Sequence, residues 1–109
     1  AHHYLTATER RIATENCFHM LNPGGLFITF ENTRPFSEAG IEIAKSKWGN
    51  YQMARGKSAD QAEAHLNRFD QEYFPITMEE HLALYRACGF KTVEVLWYSY
   101  MQAGFYCLK

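Results

Sequence analysis

Leu21-Asn22-Pro23-Gly24-Gly25-Leu26-Phe27-Ile28-Thr29-Phe30 decides the fold. Pro23 has no amide donor and ends a helix arriving from its N-terminal side. Asn22, ahead of a proline, is held in extended geometry. Gly24 and Gly25 supply the positive φ that a tight helix-to-strand turn demands. Leu26 to Phe30 is then apolar except at Thr29, which predicts a strand covered on both faces, as in a parallel sheet between helices. Helix, forced turn and strand make one unit of a doubly wound α/β domain.

Working outward, Thr6 and Glu9 have capping-box spacing and open the preceding helix, which runs to about Met20 or Leu21. Ala13, Cys17, Met20 and Leu21 fall on one face, with Arg10, Arg11 and Glu15 mostly on the wet side. After the strand, Glu31-Asn32-Thr33-Arg34-Pro35-Phe36 reads as a polar loop at the strand's carboxyl end, where open α/β sheets bind ligands. A helix from Ser37 to Met53 carries Ile41, Ala44, Trp48 and Tyr51 as a stripe, weakened by Gly40 and Gly49. Arg55-Gly56-Lys57 breaks it. Ser58 and Gln61 cap a further helix with Ala62, Leu66 and Phe69 on its apolar face. This pair, at about 37–73, reads as an insertion on the ligand side of the sheet.

Phe74-Pro75-Ile76 is extended. Thr77 and Glu80 cap a helix that buries Met78, Leu82 and Tyr85 and stops at Gly89. Lys91 to Tyr100 is rich in β-formers, Met101-Gln102-Ala103 is a turn, and Gly104 to Leu108 is a last strand. So short a connection makes the final two strands antiparallel neighbours.

Composition narrows the function classes. With 109 residues there is room for one domain. A net charge of −1 without a basic run disfavours nucleic acid. No apolar run is long enough to cross a bilayer as a helix. The three cysteines lack metal spacing and read as reduced thiols of a cytoplasmic protein. The five histidines form no grouping that suggests a metal. His2 and His3 read either as native sequence or as the remnant of a tag; Tyr4-Leu5 following without a linker favours the former.

Taken in order, these stretches resemble the C-terminal half of a class I S-adenosylmethionine-dependent methyltransferase. Leu21-Asn22-Pro23-Gly24-Gly25-Leu26-Phe27-Ile28 is similar to the helix-turn-strand motif before that family's fifth strand. Glu80-His81-Leu82 through Cys88-Gly89-Phe90 resembles the helix and turn before the sixth. Val93-Glu94-Val95 and Gly104-Phe105-Tyr106-Cys107 resemble the last two strands, and His2-His3-Tyr4-Leu5 the close of the fourth. The resemblance implies an α/β fold with a partial Rossmann-like sheet, strands equivalent to 5, 7 and 6 ending in an antiparallel hairpin, flanked by helices. The family's Gly-rich cofactor loop has no counterpart in residues 1–109. The expectation is therefore a methyltransferase fragment lacking the N-terminal cofactor-binding half, inactive by itself, with S-adenosylmethionine bound in the parent protein and none bound here. The alternative is a non-catalytic α/β interaction domain that keeps the fold.

By position in that resemblance, His2, His3 and Tyr4 border the transferred methyl group and are the catalytic candidates, although most histidines near a site are not the base. Glu31, Asn32, Arg34, His65, Arg68 and Tyr73 are the candidates for binding a small-molecule acceptor. The plainer reading of His65 and Arg68 is a surface charge group. Trp48, Tyr51, Tyr98 and Tyr100 are candidate pocket walls, while Trp97 reads as core. Without the strand that pairs with 26–30 in the family, that strand is an unpaired edge, and self-association along it is expected.

Overall fold

The computed structural model describes residues 4–109. Thr6 caps α1 (Ala7–Met20) with a complete capping box to Glu9, because its hydroxyl and the Glu9 carboxylate each take an otherwise unpaired amide. The same device opens α3 (Ala59–Leu66) through Ser58 and Gln61, and α4 (Met78–Ala87) through Thr77 and Glu80. Ser37 caps α2 (Glu38–Ala54) by accepting from the Gly40 amide. No described helix is long and apolar enough to cross a membrane.

Between α1 and the first strand Gly24 takes φ +80°, as expected, whereas Gly25 does not take a positive φ. Lys109 locks this turn from the other end of the chain. Gly24 N donates to Lys109 O, Lys109 N donates to Gly25 O, and Lys109 Nζ donates to Leu21 O at 2.8 Å.

The fold is α/β, with a four-stranded mixed, open sheet flanked by helices. Its strands are β1 (Leu26–Arg34), β2 (Ile76–Thr77), β3 (Thr92–Ser99) and β4 (Gln102–Leu108), in the order β2-β1-β4-β3. β4 runs antiparallel to both neighbours, from Leu26↔Leu108 to Asn32↔Gln102 on one side and from Thr92↔Leu108 to Ser99↔Gln102 on the other. β1 and β3 are therefore parallel to each other, with the chain's last strand inserted between them. β2 pairs in parallel only with Thr33 and Arg34, so among the described residues the outer edge of β1 over Leu26–Asn32 has no strand partner.

α1 and α4 cover one face of the sheet. Beneath them lies the core of Tyr85, Phe90, Val93, Ala103, Phe105 and Cys107, with Phe18 and Phe27 packed against it. Phe27 stacks on Phe90 at 5.6 Å, and Phe18 meets the same ring edge-on at 5.1 Å. A smaller core of Ile41, Phe69 and Tyr73 ties α2 and the loop after α3 to Met101 of the hairpin turn.

Five expectations are corrected. β1 was expected to be buried on both faces, yet Leu26, Ile28 and Phe30 are exposed because no described helix covers their face. Glu31 to Arg34 is not loop but the continuation of β1, held by β2 and by the Thr33 amide donating to Met101 O. The hairpin turns at Tyr100-Met101, since Ser99 already pairs with Gln102; Tyr100 carries φ +49° there. Trp97 is not core: it is 46% exposed, beyond a register shift that follows Val95. On α1 the stripe is displaced by one residue. Arg10 and Thr14 are buried, whereas Met20 is 83% exposed. Arg10 can lie inside because its guanidinium donates to Phe74 O at 2.7 Å, and Thr14 because its hydroxyl donates to Arg10 O.

Candidate functional site

The carboxyl end of β1, the β3–β4 turn, helices α2 and α3 and the loop that follows them line a cavity of about 550 Å³, within the range of small-molecule sites. Each boundary has a local cause. Asn32 and Thr33 line it because β1 extends past the main ladder to reach β2. Ser99, Tyr100, Met101 and Gln102 line it because the two-residue turn sits over the end of β1. Lys47, Trp48 and Tyr51 come from one flank of α2, spaced so that Lys47 and Tyr51 are one turn apart. His65 comes from the last turn of α3, with Phe69, Tyr73 and Pro75 following it.

The walls are mainly aromatic. Trp48 and Tyr51 stack at 5.4 Å and 18°. His65 lies 6.2 Å from Trp48 and 6.3 Å from Tyr73, bridging the two sides. Tyr4 meets Tyr73 edge-on at 6.3 Å. Tyr73 is itself buried, and its hydroxyl donates to His65 O at 3.4 Å. Burial holds its phenol above the usual range, so Tyr73 stays protonated near neutrality.

The polar groups are sparse, and Lys47 brings the lining a positive charge. Thr33 is fully buried, and its hydroxyl has no hydrogen-bond partner among the described residues. Asn32 and Gln102 stand opposite each other in the ladder at the sheet end. Lys47 is the charged lining residue, and no carboxylate lines the cavity among the described residues. Burial, then the positive charges of Lys57 and Arg68, hold the His65 imidazole below its usual pKa. It is therefore neutral at pH 7 and can accept a hydrogen bond.

The structure brings together Tyr4, Asn32, His65 and Tyr73 of the candidates, along with Trp48, Tyr51 and Tyr100. The others lie elsewhere. Glu31 is buried further back along β1, where Thr29 donates to it at 2.5 Å, and it does not line the cavity. Arg34 donates to Pro75 O, pairs with Asp70 and lies over the Phe69 ring, fixing the loop that carries the wall. Arg68 pairs with Glu72 one turn on and donates to the Tyr4 hydroxyl at 3.4 Å, at the rim. That is the surface charge pair the spacing suggested. His2 and His3 lie outside the described residues. Tyr98 is not among the residues that line the cavity.

Sequence reading missed Thr33, Lys47, Phe69 and the hairpin turn as parts of one site. For Lys47 a signal existed, because it shares a helical flank with Trp48 and Tyr51. For the turn none did, since its proximity to β1 depends on a ladder between distant segments. No group of residues able to hold a metal ion occurs among the described residues. Compared with protein-family models and with curated proteins, the chain matches none.

Proposed function

We propose that this chain is the acceptor-side part of an S-adenosylmethionine-dependent methyltransferase acting on a small molecule. The observation that carries the reading is the strand order. A parallel pair, β1 and β3, with the antiparallel last strand between them, is what strands 5, 7 and 6 of that family would look like. The cavity at the carboxyl end of β1, roofed by the inserted helices, stands where an acceptor would be selected. Tyr4, Asn32, His65 and Tyr73 are the residues of this chain that would contact it.

The chain's own residues do not fit the cofactor. The strand-to-helix junction after β1 is Pro35-Phe36-Ser37, without glycine, and β2 runs directly into α4 with Thr77 as the cap. Neither offers the close backbone approach that a nucleotide cradle needs. The cofactor would be held outside this chain, and the chain's contribution is to bind and orient the acceptor and keep water from it.

The test is methyl transfer from labelled S-adenosylmethionine by the complete gene product that carries this sequence, with and without Trp48→Leu. Transfer that falls with the substitution supports the reading; transfer indifferent to it removes the cavity from the reaction. The chain alone, titrated calorimetrically with S-adenosylmethionine, should give no binding isotherm. Micromolar binding would show that its own residues hold the cofactor.

A second reading, a non-catalytic interaction domain, is favoured by the uncovered apolar face of Leu26, Ile28 and Phe30 beside the open edge of β1. In either case that edge is suited to pairing with another copy.

A further inference from the structure

We propose that the acceptor cavity is built for a flat aromatic molecule carrying an anionic oxygen, a carboxylate or an ionised phenol. Shape and wall chemistry carry the first half. Trp48 with Tyr51 on one side, and Tyr73 with Phe69 on the other, present ring surfaces joined by the His65 imidazole. A planar ring entering between them gains stacked and edge-on contacts with little loss of rotamer freedom on either partner.

Charge carries the second half. Aromatic walls can also serve a cationic guest, but here their faces are already supplied with cations by the protein. Lys45 Nζ lies 4.7 Å and the Arg34 guanidinium 4.8 Å from the Phe69 centroid. Arg55 lies 5.5 Å from the Tyr51 ring and Arg68 6.0 Å from the Tyr73 ring. Asp70 and Glu72 pair with Arg34 and Arg68 outside the cavity. Lys47 lines the cavity without any carboxylate beside it among the lining residues. A second cation would meet repulsion there, whereas an anionic oxygen would find Lys47 and the sheet-end donors Asn32, Gln102 and Thr33.

The proposal rests on the reading of this cavity as an acceptor site. The experiment is therefore run on the 109-residue chain without a methyl donor, so that failure of binding and failure of methyl transfer are read separately. Three probes are titrated calorimetrically: 2-naphthoate, its saturated decahydro analogue, and 2-naphthylmethyl-trimethylammonium. 2-Naphthoate should bind about tenfold more tightly than either of the others, the scale expected from one or two aromatic contacts. Trp48→Leu should remove most of its advantage over the saturated acid. Lys47→Gln, an exposed change that leaves the fold intact, should cut its advantage over the ammonium several-fold. Trp97→Leu, outside the cavity, should change neither. Equal affinity for the flat and saturated acids would overturn the aromatic part, tighter binding of the ammonium would overturn the charge part, and absence of saturable 2-naphthoate binding would overturn both.

Discussion

Replacing Gly89 by alanine should destabilise the chain far more than the same change at Gly24, and the structure says by how much. Both glycines hold positive φ, +115° at Gly89 and +80° at Gly24. An added Cβ at Gly24 meets nothing within 4 Å, so its cost is backbone alone, roughly 1–2 kcal/mol. At Gly89 the same atom would sit 2.8 Å from Phe18 Cζ and 3.1 Å from Cε1. That ring cannot withdraw freely, since Phe90 packs against it at 5.1 Å and Lys109 Nζ lies 4.5 Å from its centroid. Overpacking of this kind adds about 1–3 kcal/mol. Gly89→Ala should then cost about 2–5 kcal/mol, a fall in melting temperature on the order of 10–30 °C, against about 5–15 °C for Gly24→Ala. Thermal unfolding followed by circular dichroism reads both. The decisive control repeats Gly89→Ala on a Phe18→Leu background, where the offending ring atoms are gone and only the backbone part should remain. An unchanged cost on that background would refute the argument that α1 is seated on the end of α4 by this contact.

Further outcomes follow from burial and charge. Burial pushes the Cys107 thiol up to about 11 and raises that of Cys88, while Cys17 is only half-buried. At pH 8 a thiol-specific chromogenic reagent should modify Cys17 first and the other two only after denaturation; equal rates in the native chain would contradict the core assignment. His65 is held below its ordinary 6.5, so the unfolded chain takes up that proton at higher pH than the folded one. Its contribution to stability is complete above about pH 6.5 and is lost as the pH falls through the folded value. Melting temperature should thus drop on acidification, with a smaller drop in His65→Gln; identical slopes would remove His65 from the account. The uncovered face and edge of β1 should make the chain self-associate as concentration rises, and Ile28→Lys should return it to the monomer mass by light scattering. A wild-type chain that stays monomeric at high concentration would show that the edge is not adhesive.

Local signals in this chain carry their structure directly. The capping boxes at Thr6, Ser58 and Thr77, the stop at Pro23 and the turn at Gly89 each depend on residues three or four apart, and all stand where spacing put them. Helices α2 and α3 and the terminal hairpin followed from the same kind of signal. Errors arose where a polar group is satisfied by distant chain. Arg10 reads as surface until the Phe74 carbonyl arrives to accept from it. Glu31 reads as a ligand-side residue until the strand is found to continue through it and turn its side chain to the covered face.

Sequence alone therefore determined the four helices, the caps that start them and the α/β class, because apolar period, proline, glycine and cap chemistry act within a turn or two of chain. Tertiary structure decided three things those signals cannot carry. It set β4 between β1 and β3, a register between segments some 75 residues apart. It left Leu26, Ile28 and Phe30 on an open face although their stretch reads as doubly buried. And it drew Tyr4, Asn32, Trp48, His65, Tyr73 and Gln102 into one cavity. The Leu-Asn-Pro-Gly-Gly turn and its strand could announce an α/β unit by themselves; which neighbours that strand has, and which it lacks, depends on pairing energy that exists only once the chain has closed on itself.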